Sequence, residues 1–231
     1  LTEQGITILN DVTLNSVSND DNKPVITAND QNYTFDAVLY ATGRKPNTAN
    51  IGLENTDITT NERGAIVVND TCESSVPGVY AVGDVNGGPQ FTYISLDDFR
   101  IVFGALTGNG QYTLKDRKNI PYTTFLTPPL ARIGLTEEDA INKGYTVKTK
   151  EMLVATMPRA HVNDYLKGAF KIVVDAENNL ILGATLYSQG AEELINLIKM
   201  AMDNNIPYTY FKNQIFTHPT MAENLNDLCN F

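Results

Sequence analysis

The sequence predicts an α/β segment followed by an α+β domain, and three observations carry that expectation. Residues 36–43, Asp36-Ala37-Val38-Leu39-Tyr40-Ala41-Thr42-Gly43, are mostly apolar at consecutive positions and close on glycine, the pattern of a strand buried on both faces. Residues 111–121 are charged and polar with few apolar side chains, which marks a boundary between two domains. Beyond them, strand-like runs at 122–125, 146–153, 168–174 and 180–187 alternate with helical patterns at 137–143 and 191–203.

Taken in order, Leu1 to Gly5 reads as the end of a helix with a glycine C-cap, so the chain is expected to begin inside a domain. Strands are expected at 6–12, 14–17, 25–28 and 33–40, with the break Asn19-Asp20-Asp21-Asn22 among the turns that separate them. Residues 47–70 read as polar loop with a short strand at 64–68, and the strand 79–82 runs into Gly83-Asp84. A helix is expected over 93–106, closed by Gly108-Asn109-Gly110. In the second half, Thr136 and Asp139 form a box-like helix start. Leu194, Ile195, Leu197, Ile198, Ala201 and Met202 make a broad apolar stripe.

Of the 231 residues 42% are hydrophobic, enough for a core without staples. A formal charge of -10, from 27 acidic against 17 basic residues, argues against a nucleic-acid or anionic-membrane partner, since both demand a basic face. No apolar run approaches the roughly 20 residues of a membrane helix, nothing signals export, and a cytoplasmic location is expected. Cys72 and Cys229 stand far apart without metal-ligand spacing, so both read as structural thiols and no metal site is expected.

Three strings carry chemistry. Ala41-Thr42-Gly43-Arg44-Lys45-Pro46-Asn47-Thr48 leaves the apolar run; by itself it fits any strand-to-loop exit. Val79-Tyr80-Ala81-Val82-Gly83-Asp84, followed by Phe91-Thr92, sets a Gly-Asp pair where a doubly wound fold places ligand contacts, although an Asp that merely caps the next turn would look the same. Phe216-Thr217-His218-Pro219-Thr220-Met221-Ala222-Glu223 allows two compatible accounts: Thr220 and Glu223 start a helix as a capping box, and His218 is incidental or is an acid/base group.

In this order the three strings resemble the FAD-dependent pyridine nucleotide-disulfide oxidoreductases. Thr127-Pro128-Pro129-Leu130-Ala131-Arg132-Ile133-Gly134-Leu135-Thr136-Glu137 is similar to the opening of that family's dimerisation domain. The resemblance implies the remnant of an NAD(P)-binding domain over 1–43, the C-terminal part of an FAD-binding domain over 44–115, and a dimerisation domain over 116–231. It also implies cofactor contacts from Gly43, Arg44, Gly83, Asp84, Phe91 and Thr92, with Asp84 on the ribityl chain and Phe91 and Thr92 beside the isoalloxazine. His218 becomes the proton carrier, oriented by Glu223; His161 reads as a surface loop residue. The wording of 87–98 and 221–228 looks most like the reactive-chlorine-resistance branch, whose members reduce hypothiocyanous acid with NAD(P)H.

The chain has neither a Gly-x-Gly-x-x-Gly fingerprint nor a Cys-x-x-x-x-Cys pair. It is therefore expected to be one half of such an enzyme, a homodimer acting on a small oxidant or disulfide, inactive alone and holding FAD weakly. The alternatives are a non-catalytic homodimerisation module, or half of a general disulfide reductase of the glutathione, lipoamide or mercuric type.

Overall fold

A computed structural model describes residues 2–231, which form two antiparallel sheets and six helices. The first sheet is a meander of β1 (Leu14–Asp20), β2 (Lys23–Ala28) and β3 (Gln31–Thr34). Both of its turns are two-residue loops with left-handed backbone, Asp21-Asn22 (φ 45° and 64°) and Asn29-Asp30 (φ 47° and 60°). Asn and Asp tolerate that conformation, and its twist suits a tight hairpin.

Residues 6–12 and 36–43 are not strands, contrary to expectation. A strand buried on both faces needs a neighbour along each edge, and the described residues supply none to 36–43, so Leu39 is 90% exposed. The runs 64–68 and 79–82 reduce to isolated bridges, Thr60 with Ile66, Val68 with Ser74 and Glu73 with Tyr80. The expected helix forms as α1 (Thr92–Thr107), ended by Gly108 in left-handed backbone, with Ile94, Asp98 and Ile101 as its buried face. The break at 111–121 holds a short 3-10 turn, Leu114–Asp116, started by a Thr113–Asp116 capping box.

The second half is a five-stranded sheet in the order β4 (Tyr122–Thr124), β5 (Leu130–Gly134), β8 (Ile181–Tyr187), β7 (Ala169–Asp175) and β6 (Val147–Leu153). Between β5 and β6 lies α2 (Glu137–Asn142), started by the expected Thr136–Asp139 box; between β6 and β7 lies α3 (Pro158–Val162). His161 thus sits on a short helix rather than a loop, exposed, with Nε2 2.8 Å from the Ala155 carbonyl. The long α4 (Ala191–Asp203) lies across β5 and β8 and inserts Leu194, Ile195, Ile198 and Ala201. Leu197, expected in the stripe, is 38% exposed at its edge. α5 (Tyr208–Asn213) packs on α6 (Leu225–Leu228), which rests on β6 and β7.

Phe170, Ile172, Val174 and Leu186 form the centre of the core, each with essentially no exposed surface. Gly134 (φ 68°) ends β5, and a Cβ there would strike the Leu182 carbonyl oxygen, so close strand approach requires glycine. Truncating a fully buried aromatic loses its transfer energy and leaves a cavity. Phe170→Ala is therefore expected to lower stability by about 3–5 kcal/mol. Leu39→Ala, at a side chain 90% exposed and outside the second half, should change the stability of the 231-residue chain by less than about 0.5 kcal/mol. Urea denaturation of both variants checks the contrast.

Candidate functional site

The two groups of predicted residues lie in different parts of the fold. The first surrounds the 3-10 turn Gly83–Asn86. Gly83 has φ 74°, and a Cβ on it would lie 2.6 Å from the Ser95 hydroxyl of α1. Helix packing by itself thus demands glycine here. Asp84 follows with its side chain 48% exposed, and its Oδ2 lies 3.8 Å from Nη1 of Arg44. Arg44, Lys45, Arg63, Gly87 and Gln90 line one cleft of about 550 Å³. Gly43 (φ 117°) is exposed beside it in sequence.

Phe91 is the residue immediately before α1 and Thr92 its first residue. The first N–H groups of a helix lack intrahelical acceptors and together carry about half a positive charge. The Phe91 ring stacks on Tyr122 of β4, with centroids 5.9 Å apart and planes 16° from parallel, so this group touches the second sheet.

What holds the turn was not visible in the motifs. Asp98 of α1 is completely buried, and its Oδ2 accepts from the Gly83 backbone N–H at 2.7 Å and from Nδ2 of Asn86 at 2.9 Å. Its other oxygen pairs with Nη2 of Arg117, whose Nε donates to Oδ2 of Asp97 at 2.7 Å. One signal could have exposed it: Ile94, Asp98 and Ile101 share helical spacing, which puts a carboxylate on an apolar face.

The second group is the His218–Glu223 pair. His218 is joined to Pro219 by a cis peptide bond, and its ring is 71% exposed. The two helix-start accounts separate here. The Glu223 backbone N–H does donate to the Thr220 hydroxyl at 3.2 Å, as a cap predicts. The Glu223 carboxylate, however, lies 2.8 Å from Nδ1 of His218 rather than closing the box on Thr220. A carboxylate only accepts, so Nδ1 carries the proton and Nε2 is the nitrogen left to act. Beyond Glu223, Nζ of Lys150 on β6 donates to the carbonyls of Asp227 and Asn230 at 2.7 Å each, pinning the end of the chain. Among the described residues no hydrogen bond or ion pair joins the two groups.

Two family descriptions match the chain: "Pyridine nucleotide-disulphide oxidoreductase" over residues 1–98, and the dimerisation domain of the same family over 120–229. The chain belongs to this family. A probable pyridine nucleotide-disulfide oxidoreductase, RclA of Escherichia coli K12, is 44% identical over 99% of the chain and 52% of its own length. A mercuric reductase of Staphylococcus aureus is 34% identical over 97% of the chain and 42% of its own length. Among solved structures, the HOCl-induced flavoprotein disulfide reductase RclA from E. coli superimposes with a TM-score of 0.93 at 43% identity, covering 99% of this chain and 52% of that one. LpdA of Mycobacterium tuberculosis, at 21% identity and a TM-score of 0.87, shares the fold. The chain spans about half the length of the relatives it matches.

Members of this family are oxidoreductases, yet neither cysteine of this chain is placed for thiol chemistry. Burial pushes the Cys72 thiol up to about 11 and the Cys229 thiol up to about 12. No group of His, Cys, Asp and Glu able to hold a metal ion occurs among the described residues, and no helix of theirs is long and apolar enough to cross a membrane. Raised thiol values favour the protonated form in the fold. Their contribution to stability is present below the unfolded value of about 8.5 and is lost as pH rises towards the folded values. At pH 8 an aromatic disulfide reagent should label neither thiol of the native chain and both in denaturant; fast native labelling would contradict the burial.

Proposed function

We propose that this chain is the C-terminal half of an NAD(P)H- and FAD-dependent disulfide oxidoreductase. Residues 1–43 would be the end of its NAD(P)-binding domain, 44–115 the end of its FAD-binding domain and 116–231 its dimerisation domain. The observation that carries the reading is the His218–Glu223 pair, because a helix start alone needs no carboxylate on Nδ1. The relatives named as flavoprotein disulfide reductase and mercuric reductase support the class. The wording of 87–98 and 221–228, with its resemblance to the reactive-chlorine-resistance branch, supports an oxidant of the hypothiocyanous acid kind as the substrate, and the relative RclA is described as HOCl-induced.

The residues around Gly83 suit a flavin. Asp84 offers an outward carboxylate to accept from ribityl hydroxyls, the first turn of α1 at Thr92 offers N–H donors and partial positive charge to an electron-rich ring edge, and Phe91 offers an apolar face. Gly43 and Arg44 supply the approach beside Asp84, Arg44 balancing its charge. When bound, FAD supplies hydride acceptance from NAD(P)H and two-electron transfer to a cysteine pair. The chain's own contribution to that second half-reaction is proton handling. His218 Nε2 takes the proton of the attacking thiol and returns it to the leaving group of the substrate, while Glu223 keeps the ring turned. We also infer a cytoplasmic setting from the acidic balance and the two separate, buried thiols.

The dimerisation domain at 120–229 supports a homodimer, as do apolar side chains left on its surface: Ile215 (95% exposed), Phe125 (77%) and Met200 (62%). An isologous twofold contact would cover them. Light scattering at micromolar concentration should therefore give a species near twice 25.4 kDa, and a strict monomer would count against it. In the protein with its upstream half, stopped-flow separates the half-reactions. His218→Ala should leave flavin reduction by NAD(P)H intact and slow substrate reduction by about 10²- to 10⁴-fold. Normal substrate reduction by the folded variant would refute the assignment of His218, whereas a colourless dimer without nicotinamide oxidation would favour the non-catalytic dimerisation module.

A further inference from the structure

Residues 111–121 look like a tether between domains, but three consecutive residues near their end are each fastened. Arg117 reaches into the first half of the chain, its guanidinium forked across Asp97 and Asp98 with a side chain only 10% exposed. The Lys118 carbonyl accepts from Nζ of Lys199 on α4 at 3.5 Å. Nδ2 of Asn119 donates to Oδ1 of Asp203, and Lys199 donates to the other oxygen of that carboxylate at 2.6 Å. Upstream, the 3-10 turn before Arg117 is itself tied down, with Leu114 N–H donating to the Asp70 carbonyl at 2.9 Å.

A carboxylate with no exposed surface is stable only when its acceptor capacity is filled. Asp98 receives three donors, and each comes from a different place: the Gly83 backbone, the Asn86 side chain and Arg117. Asn86 in turn accepts from Gly88 N–H at 3.0 Å, so both ends of the Gly83–Asn86 turn are fixed through one side chain. Nothing in this arrangement touches the outward Asp84 carboxylate, yet the direction of that carboxylate depends on it. We propose that Asp98 and Arg117 are positioning residues that set the Gly83–Asp84 turn for its ligand, and that Arg117 to Asn119 register that turn against α4 of the dimerisation domain. The structural part stands without any ligand; the part concerning a flavin rests on the reading of Asp84 given above.

Hydrogen exchange read by mass spectrometry on the 231-residue chain tests it. In Arg117→Met, which keeps length but removes the fork and the charge, amides of 81–88 should exchange at least about tenfold faster while those of 169–187 stay unchanged. Arg117→Lys should fall between, since one ammonium cannot serve both carboxylates in the same geometry. Unchanged exchange at 81–88 overturns the proposal. Faster exchange at 169–187 as well also overturns it, because the pair would then be a general stabiliser. In the flavin-loaded protein, Arg117→Met should weaken FAD binding at least about tenfold, and full affinity beside a loosened turn would overturn the ligand part. If the unsubstituted protein takes up no flavin, the assignment of Asp84 fails instead, and the exchange result still decides the positioning role.

Discussion

A strand paired along both edges cannot slip, because a shift of one residue would turn its buried side chains to solvent. β8 is such a strand, bonded to β5 on one side and β7 on the other, with α4 laid across it. Its inward side chains, Ile181, Ala184 and Leu186, meet Phe170, Ile172 and Val174 of β7 and the buried stripe of α4 in a single cluster that also takes in Leu225 and Leu228 of α6. The last helix is therefore seated by the core and held at its end by Lys150. The turn that carries His218 and Glu223 leads from α5 into this fixed helix. The pair can afford an exposed imidazole because its geometry is set by what lies beneath and behind it, not by burial of the ring.

The sequence spoke clearly wherever a single element buried one face. Residues 191–203 were read to the residue, because the apolar spacing is helical and Glu192 and Glu193 suit a helix start. The Thr136–Asp139 box was equally legible, since both halves are short-range and use side chains that the sequence names. Residues 36–43 were misread for the opposite reason. Consecutive apolar residues report the environment a segment is suited to, while strand pairing depends on neighbours that the described chain does not provide.

The site was legible only in part. Nothing in His218-Pro219-Thr220-Met221-Ala222-Glu223 says whether the glutamate turns back to its own helix start or out to the imidazole; both are short-range and both use the same residues. Three-dimensional arrangement separates backbone from side chain, giving Thr220 the Glu223 N–H and His218 the Glu223 carboxylate. At the other group, the fold gives glycine at 83 a reason of its own, since a Cβ there would meet the Ser95 side chain of α1. Asp98 went unremarked because acidic residues on a helix are ordinarily its solvated face. Only the coincidence of its position with Ile94 and Ile101 betrays it.

Surface loops between domains are where chain length usually drifts, since an added residue there disturbs little. Residues 117–119 should resist that drift. With anchors to both halves of the molecule within three residues, an inserted amino acid would pull Arg117 from its carboxylates or Asn119 from Asp203. The hairpin tip at Asp21-Asn22 has no comparable tie among the described residues and follows the exposed strand β1. Natural variation in length, loop grafting and internal tags should accordingly be accommodated at the tip and rejected at the apparent linker, so that in this fold the segment that looks most like a spacer is the one whose length is fixed.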